Sequence, residues 1–462
     1  MIVALIVVLR PTHAAAAAAP HPLASFRETA RAPIGQTPVA LAVGELSGDG
    51  HADVMVVNAE STATLLLGDG AGALPVQRFE FFPWDVTALA LGDIDGDGVP
   101  DAVVSATTAG NVIAMRGDRD TRPEFGPTTT LHAPWSPGAV AVADMNGDGT
   151  GEIVVADLFF QAIVIARSNP DWTFDFVSQT PGFPDPVAIA FGDVNRDGIP
   201  DLGLADGSSH AGTVLLGDTH GALGARRDGP VTGRPAALAV GDLDRDGHDD
   251  LVVATRAPGG VAVLLGAADG SLRPAGGSVA AEDPSGIALG DFDLDGILDV
   301  AVAERSANEI RILHGSGRGT FDGVAGVATG AGPSALAVAD MNGDGRADLV
   351  CANHDERTVQ VFVNIAHPAG PLLLAPPAPN PVSTTCALSF VLAADASVRV
   401  DIHDVRGALV RRLLPERLLP VGPHTVIWDG LTDGGRRARS GLYLARVRAG
   451  SAEASTRIVL GR

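Results

Sequence analysis

The chain has 462 residues, 55 of them acidic and 32 basic, for a formal net charge of −23. Every basic residue is arginine, and so acidic a chain excludes a nucleic-acid partner, which needs a basic face to meet phosphates. With 57 glycines, 32 prolines and only two cysteines, Cys351 and Cys386, the composition reads as short strands and many turns, not as a disulfide-stapled or thiolate-metal fold.

The first stretch, MIVALIVVLRPTHAAAAAAP, places eight apolar residues after Met1 and then a run of small ones. That is the pattern of a secretory signal peptide cleaved within Ala14–Ala19, so residues 1–19 are expected to be lost on export. No segment reaches the roughly 18 apolar residues of a membrane-spanning helix.

A repeat follows. Acidic loops begin at Glu45, Asp93, Asp144, Asp193, Asp242, Asp291 and Asp340, at intervals of 48, 51, 49, 49, 49 and 49 residues. In each unit an alternating run such as PVALAVGEL or AALAVGDL leads into the loop. A second apolar run (DLVVA, DVAVA, DLVCA) follows, then a turn, a third run (TVLLGD, VAVLLG) and a weaker fourth segment. Period-two alternation in short runs bounded by Gly, Asp and Asn specifies half-buried strands. Four such strands per repeat are a propeller blade, so the all-β fold expected over residues 26–365 is a seven-bladed β-propeller. The last repeat stops after its third strand, TVQVFVNIA. The segment FRETARAPIGQTPVALAVGE aligns with FDGVAGVATGAGPSALAVAD, so residues 26–34 are expected to supply the missing strand and close the ring.

Within each loop, oxygen-bearing side chains fall at positions 1, 3, 5 and 9, with glycine at 6, as in Asp93, Asp95, Asp97, Asp101 and Gly98. Alternate residues of a tight turn can all aim inward, position 7 can add its carbonyl, and glycine permits the bend. The other sets are Asp144, Asn146, Asp148, Glu152; Asp193, Asn195, Asp197, Asp201; Asp242, Asp244, Asp246, Asp250; Asp291, Asp293, Asp295, Asp299; and Asp340, Asn342, Asp344, Asp348. The first loop departs from the pattern, with Glu45 and Ser47 beside Asp49 and Asp53. Clustered carboxylates repel unless a cation neutralises them, and hard oxygen donors select Ca²⁺. About six or seven structural calcium ions are therefore expected. Acidic side chains also cap turns without any metal, which is the plainer reading of the same residues.

Repeats such as GDIDGDGVPDAVVS and ADMNGDGRADLVCA resemble the FG-GAP/VCBS repeats of integrin α-type propellers. The resemblance implies the propeller and calcium, and adhesion or ligand display as a role. Beyond a proline-rich linker, residues 366–380, the tail 381–462 reads as six or seven short strands of a small β-sandwich. Its PNP, DVRGALV, WDG, SGLY and RIVLGR strings resemble the Ig-like domain of flagellar hook-capping proteins and the sorting domains of type IX secretion. That resemblance implies passage through a secretion machinery and a secreted or outer-surface location. Residues 370–462 carry 12 arginines against 7 acids, a local +5 that leaves −28 for the rest.

No catalytic constellation stands out, and RGD at Arg116–Asp118 is a chance tripeptide in a chain rich in these residues. Trp84 and Trp135 each lie nine residues before a loop, and Phe183 lies ten before the next. With Phe159 and Phe160 they form a candidate patch for an extracellular protein or glycan on the face opposite the acidic loops, the alternative being aromatics packed between blades. The expectation is a monomeric, non-enzymatic binding module. The alternative is a propeller-based polysaccharide lyase or hydrolase, which would need acidic and basic groups converging in the central depression.

Overall fold

The structure is a computed structural model that describes residues 25–117, 125–126, 128–132, 136–169, 171–276, 279–366, 372–374, 377, 385–392, 396–404, 406–420, 422–450 and 452–461. The chain divides into two compact units, one built from Phe26–Phe292 and Ile297–Asn364, the other from Ile365 onward and grouped with Asp293–Gly296. Among the described residues there is no helix.

The larger unit is seven antiparallel sheets of four strands each. The first sheet runs Pro38–Gly44, Asp53–Asn58, Thr62–Leu67 and Val76–Phe81, and the next five repeat that sequential order. Each sheet's first strand packs against the first strand of the following sheet, and the seventh's returns to the first's, so the sheets form a closed ring of blades. Small apolar residues make this crowding possible. Ala40, Leu41 and Ala42 in the first blade and Ala335, Leu336 and Ala337 in the seventh are fully buried. Burial falls off outward: in the sixth blade Asp299–Glu304 is buried along its length, whereas the outer strand Phe321–Ala328 alternates half-buried and exposed.

Ring closure follows the expectation from the sequence. Phe26–Pro33 pairs antiparallel with Thr358–Asn364, from Phe26↔Asn364 to Pro33↔Thr358, with a register shift between Glu28 and Ala30. Ile34 N–H donates to the Arg357 carbonyl at 3.0 Å and Ile365 N–H to the Ser25 carbonyl at 2.7 Å. The seventh blade is thus three strands from the end of the repeat region and one from its start, which covers the open edge of Thr358–Asn364 and gives the blade its fourth, outermost strand.

Among its described residues the smaller unit has seven strands in two sheets. Leu372–Leu374, Cys386–Leu392 and Gly422–Trp428 form one; Leu409–Leu419, Ala396–Asp404, Gly441–Ala449 and Ala452–Leu460, in that spatial order, form the other. Leu388, Phe390, Val398, Val400, Trp428, Val447 and Ile458 fill its core. The motifs of the tail have packing roles. Trp428 of WDG lies edge-on to Tyr443 of SGLY at 5.2 Å, its Nε1–H donating to the Leu431 carbonyl, while the Tyr443 hydroxyl donates to the Arg439 carbonyl. Cys351 and Cys386 are both buried free thiols.

Candidate metal centres

Each acidic loop joins a blade's first strand to its second, and its last acid is the first residue of that second strand. Those seven residues, Asp53, Asp101, Glu152, Asp201, Asp250, Asp299 and Asp348, are all buried. In every blade one carboxylate oxygen accepts the N–H of loop position 2: Leu46, Ile94, Met145, Val194, Leu243, Phe292 and Met341, at 2.7–2.9 Å. In six blades the other oxygen accepts an N–H from the end of the third strand: Gly68, Gly117, Gly217, Gly266, Gly315 and Asn364. A single carboxylate therefore ties the loop, the second strand and the third strand together.

The glycine of the VLLG run has its reason here. A Cβ on Gly217 would stand 2.2 Å from the Pro200 carbonyl oxygen, and Gly68, Gly117, Gly266 and Gly315 meet the equivalent carbonyl as closely. Where the third strand instead ends in Ser168 or Asn364, the side chain donates to the position-2 carbonyl of the preceding blade, Ile94 or Phe292. Gly72 and Gly319 N–H make the same link to Met341 and Leu243. The loops thus sit in the joints between blades.

Positions 1, 3 and 5 fold the loop tip. Asp144 accepts the amides of Gly147, Asp148 and Gly149; Asn146 accepts that of Asp148; and Asp148 accepts that of Thr150. The Asp193, Asp340 and Asp93 loops repeat this arrangement. Glycine at position 6 has positive φ, as expected. Position 4 does too, even where it is Arg196, Arg245 or Leu294, a requirement that the sequence pattern does not announce.

Several of these sets converge. Asp93, Asp95 and Asp101 each offer an oxygen within 4.8 Å of the others, as do Asp242, Asp244 and Asp246, and Asp291, Asp293 and Asp295. The described residues thus contain acidic clusters able to hold a metal ion. Burial, reinforced by the neighbouring carboxylates and opposed by the amide hydrogen bonds, pushes Asp101, Asp250 and Asp348 up to about 7 and Asp201 to about 6. Arg116 of the RGD tripeptide forms an ion pair with Asp95; Asp118 lies outside the described residues.

The aromatic patch is smaller than its sequence positions suggest. Phe183 is fully buried in the core with the Arg226 guanidinium over its ring at 4.7 Å, which takes it out of any exposed patch. Trp84 packs half-buried against the core of the first two blades, and Trp135 lies outside the described residues. Phe159 and Phe160, at 67% and 39% exposure, lie edge-to-face at 5.1 Å in the turn between Glu152–Asp157 and Ala162–Ser168.

FG-GAP-like repeats match residues 46–104, 93–155, 144–204, 242–302 and 291–351, which together span more than half of the chain and take in every loop except Glu45. The chain belongs to the FG-GAP-like repeat family. Its C-terminal unit matches the FlgD Ig-like domain over residues 382–453. Among solved structures, this FG-GAP chain is similar to BBS1N, crystallised in complex with ARL6DN: TM-score 0.54, 14% identity, covering 73% of this chain and 96% of that one. It is also similar to the periplasmic gluconolactonase PpgL of Pseudomonas aeruginosa, with TM-score 0.48, 17% identity and coverage of 61% and 84%. At 14% identity the likeness to BBS1N is one of fold. No curated protein matches the chain in sequence.

The raised position-9 carboxyls set a pH dependence. A folded-state value near 7 against an unfolded value near 4 means that the folded chain holds the proton more tightly. Both states are protonated below about pH 4, and stability falls as pH rises from there towards 7. In metal-free buffer the urea midpoint should therefore be higher near pH 5 than near pH 7.5. A rise across that window would contradict the assignment.

Proposed function

We propose that this protein is an exported, calcium-braced propeller that acts as a binding module at the outer cell surface or beyond it. The observation that carries the reading is the seven-fold recurrence of oxygen side chains at positions 1, 3, 5 and 9, with no thiol, imidazole or amine among them. The residues fit the ion. The loop donors are hard oxygens, three loop sets converge within 4.8 Å, and position 9 keeps lone pairs on oxygens that already accept amides; in the sixth blade the His314 imidazole also converges with Asp293 and Asp299. Calcium there would neutralise carboxylates that otherwise repel one another across the joints between blades. Extracellular modules bind it at roughly 10⁻⁴ to 10⁻³ M, so such sites fill outside a cell and empty inside one.

Export is supported by the apolar start of the chain and by the FlgD-type Ig-like unit at its end. Among the described residues no helix is long and apolar enough to cross a membrane. The ligand surface we assign is the Phe159–Phe160 pair, two adjacent exposed rings of the kind that stack on sugars or anchor a protein partner.

Thermal unfolding with calcium and then with chelator tests the first part. Several sites each contribute binding free energy to the folded state, so the midpoint should drop on the order of 10 °C on chelation. An unchanged midpoint would leave the loops as ordinary capped turns. A glycan and protein array in saturating calcium tests the second part: the Phe159→Ala/Phe160→Ala variant should keep its melting temperature and lose binding. Retained binding would move the ligand site elsewhere, and release of reducing ends from a polysaccharide panel would favour an enzyme instead.

A further inference from the structure

The residue just before the end of the third strand lies beside its own blade's acidic loop, because its successor faces the position-9 carboxylate. In the seven blades it is Leu67, Arg116, Arg167, Leu216, Leu265, His314 and Val363. Two of these are arginines, and both turn into the loop. Arg116 forms an ion pair with Asp95 and lies 3.8 Å from Asp97. Its guanidinium also lies 5.9 Å from the centre of the Trp172 ring, which belongs to the next blade and is itself 8% exposed. The Trp172 carbonyl is held by the Thr129 hydroxyl at 3.0 Å. Arg116 is thus seated between an aromatic face and two carboxylates.

Arg167 reaches the same point in the third blade by a different route. Its Nε donates to Glu152 Oε1 at 2.8 Å, an oxygen that also receives the Asn146 side-chain amide at 2.7 Å. Its Nη2 donates to the His220 carbonyl of the following blade at 3.3 Å. In the other six blades a backbone amide of the third strand occupies that second carboxylate oxygen; here a full positive charge does. Glu152 supplies the extra methylene that brings its carboxylate out to meet the guanidinium.

We infer that Arg116 and Arg167 are tethered counter-ions that stand in for calcium in the second and third blades. These two loops then bind the metal far more weakly than those of the fourth, fifth and seventh blades, where the same position is Leu216, Leu265 or Val363. The inference rests on the calcium reading above. A guanidinium within ion-pair distance of a ligand oxygen repels an arriving divalent ion and must be displaced before that oxygen can coordinate. Other arginines also approach the fifth and seventh loops: Arg273 and Arg346 stand 3.8 Å from Asp244 and Asp344, and Arg196 Nη1 donates to the Asp246 backbone carbonyl at 3.3 Å, but none of the three comes from the third-strand position or pairs with a loop carboxylate as closely as Arg116 and Arg167 do. Arg346 directs Nη1 to the Asn364 carbonyl instead.

The test is the number of calcium ions retained per chain, counted by elemental analysis after dialysis at a free calcium of about 10⁻⁴ M. Arg116→Leu and Arg167→Leu install the residue that other blades carry at this position. Each should gain one tightly held ion, with that loop's affinity raised about tenfold or more, and the double variant should gain two. Arg116→Lys keeps the charge and should gain none. Arg116→Gln removes the charge while keeping a polar chain beside Trp172, and it should gain one ion even if the leucine variant folds poorly. Equal, non-zero counts in the parent protein and all neutral variants would overturn the inference while leaving calcium binding intact. No ion in any of them would overturn the calcium reading and this inference with it.

Discussion

One buried carboxylate per blade holds the propeller's parts in register. It sits at the first residue of the second strand, accepts the loop amide seven residues back, and in six of seven blades accepts a third-strand amide 15 or 16 residues on. A buried anion is costly unless its lone pairs are filled. Here two backbone donors bond one oxygen each, and those donors would themselves be unpaired without it. The rest of the loop is arranged around that point. The glycine that ends the third strand, the left-handed residue at position 4 and the amide-accepting acids at 1, 3 and 5 all bring the chain to where this carboxylate can be reached.

The same arrangement gathers negative charge at the joints between blades. Each position-2 residue gives its N–H to its own blade's carboxylate, and five of the seven offer their carbonyl to a donor from the following blade. Whatever neutralises the loop therefore acts on blade-to-blade packing as well as on the loop. On the proposed reading, a soluble divalent ion and a tethered guanidinium are two answers to one electrostatic problem. The first depends on the surroundings of the protein; the second is always present.

Much of this was legible in the sequence, and what was not has a physical cause. The seven-fold period, the blade and the closing strand could be read because strand alternation and loop spacing are local and repeat. The role of position 9 as a backbone acceptor could not, since its second partner depends on how the third strand packs. The place of the two arginines is hidden for the same reason: Arg116 is visible only as part of an RGD tripeptide, and Arg116 and Arg167 lie 15 residues beyond Asp101 and Glu152, so only the returning strand brings them to the loops. Phe183 lies in a turn where no strand alternation announces which way a side chain faces, and its ring packs into the core under Arg226.

The central claim is that the position-9 carboxylate organises the blade before any ion binds. The direct measurement is urea unfolding of metal-free protein near pH 7.5, where the Asp201 carboxyl is ionised, comparing Asp201→Ala with Asp197→Ala in the same loop. Asp201 is buried with two strand-and-loop amides on its oxygens, whereas Asp197 is exposed and accepts, at the tip, only the Ile199 amide and the Asn195 side-chain amide. Losing Asp201 strands two buried donors and should cost about 2–5 kcal/mol; losing Asp197 should cost less than about 1 kcal/mol. Equal losses would mean that the loop acids act alike and that no single carboxylate holds the three strands together.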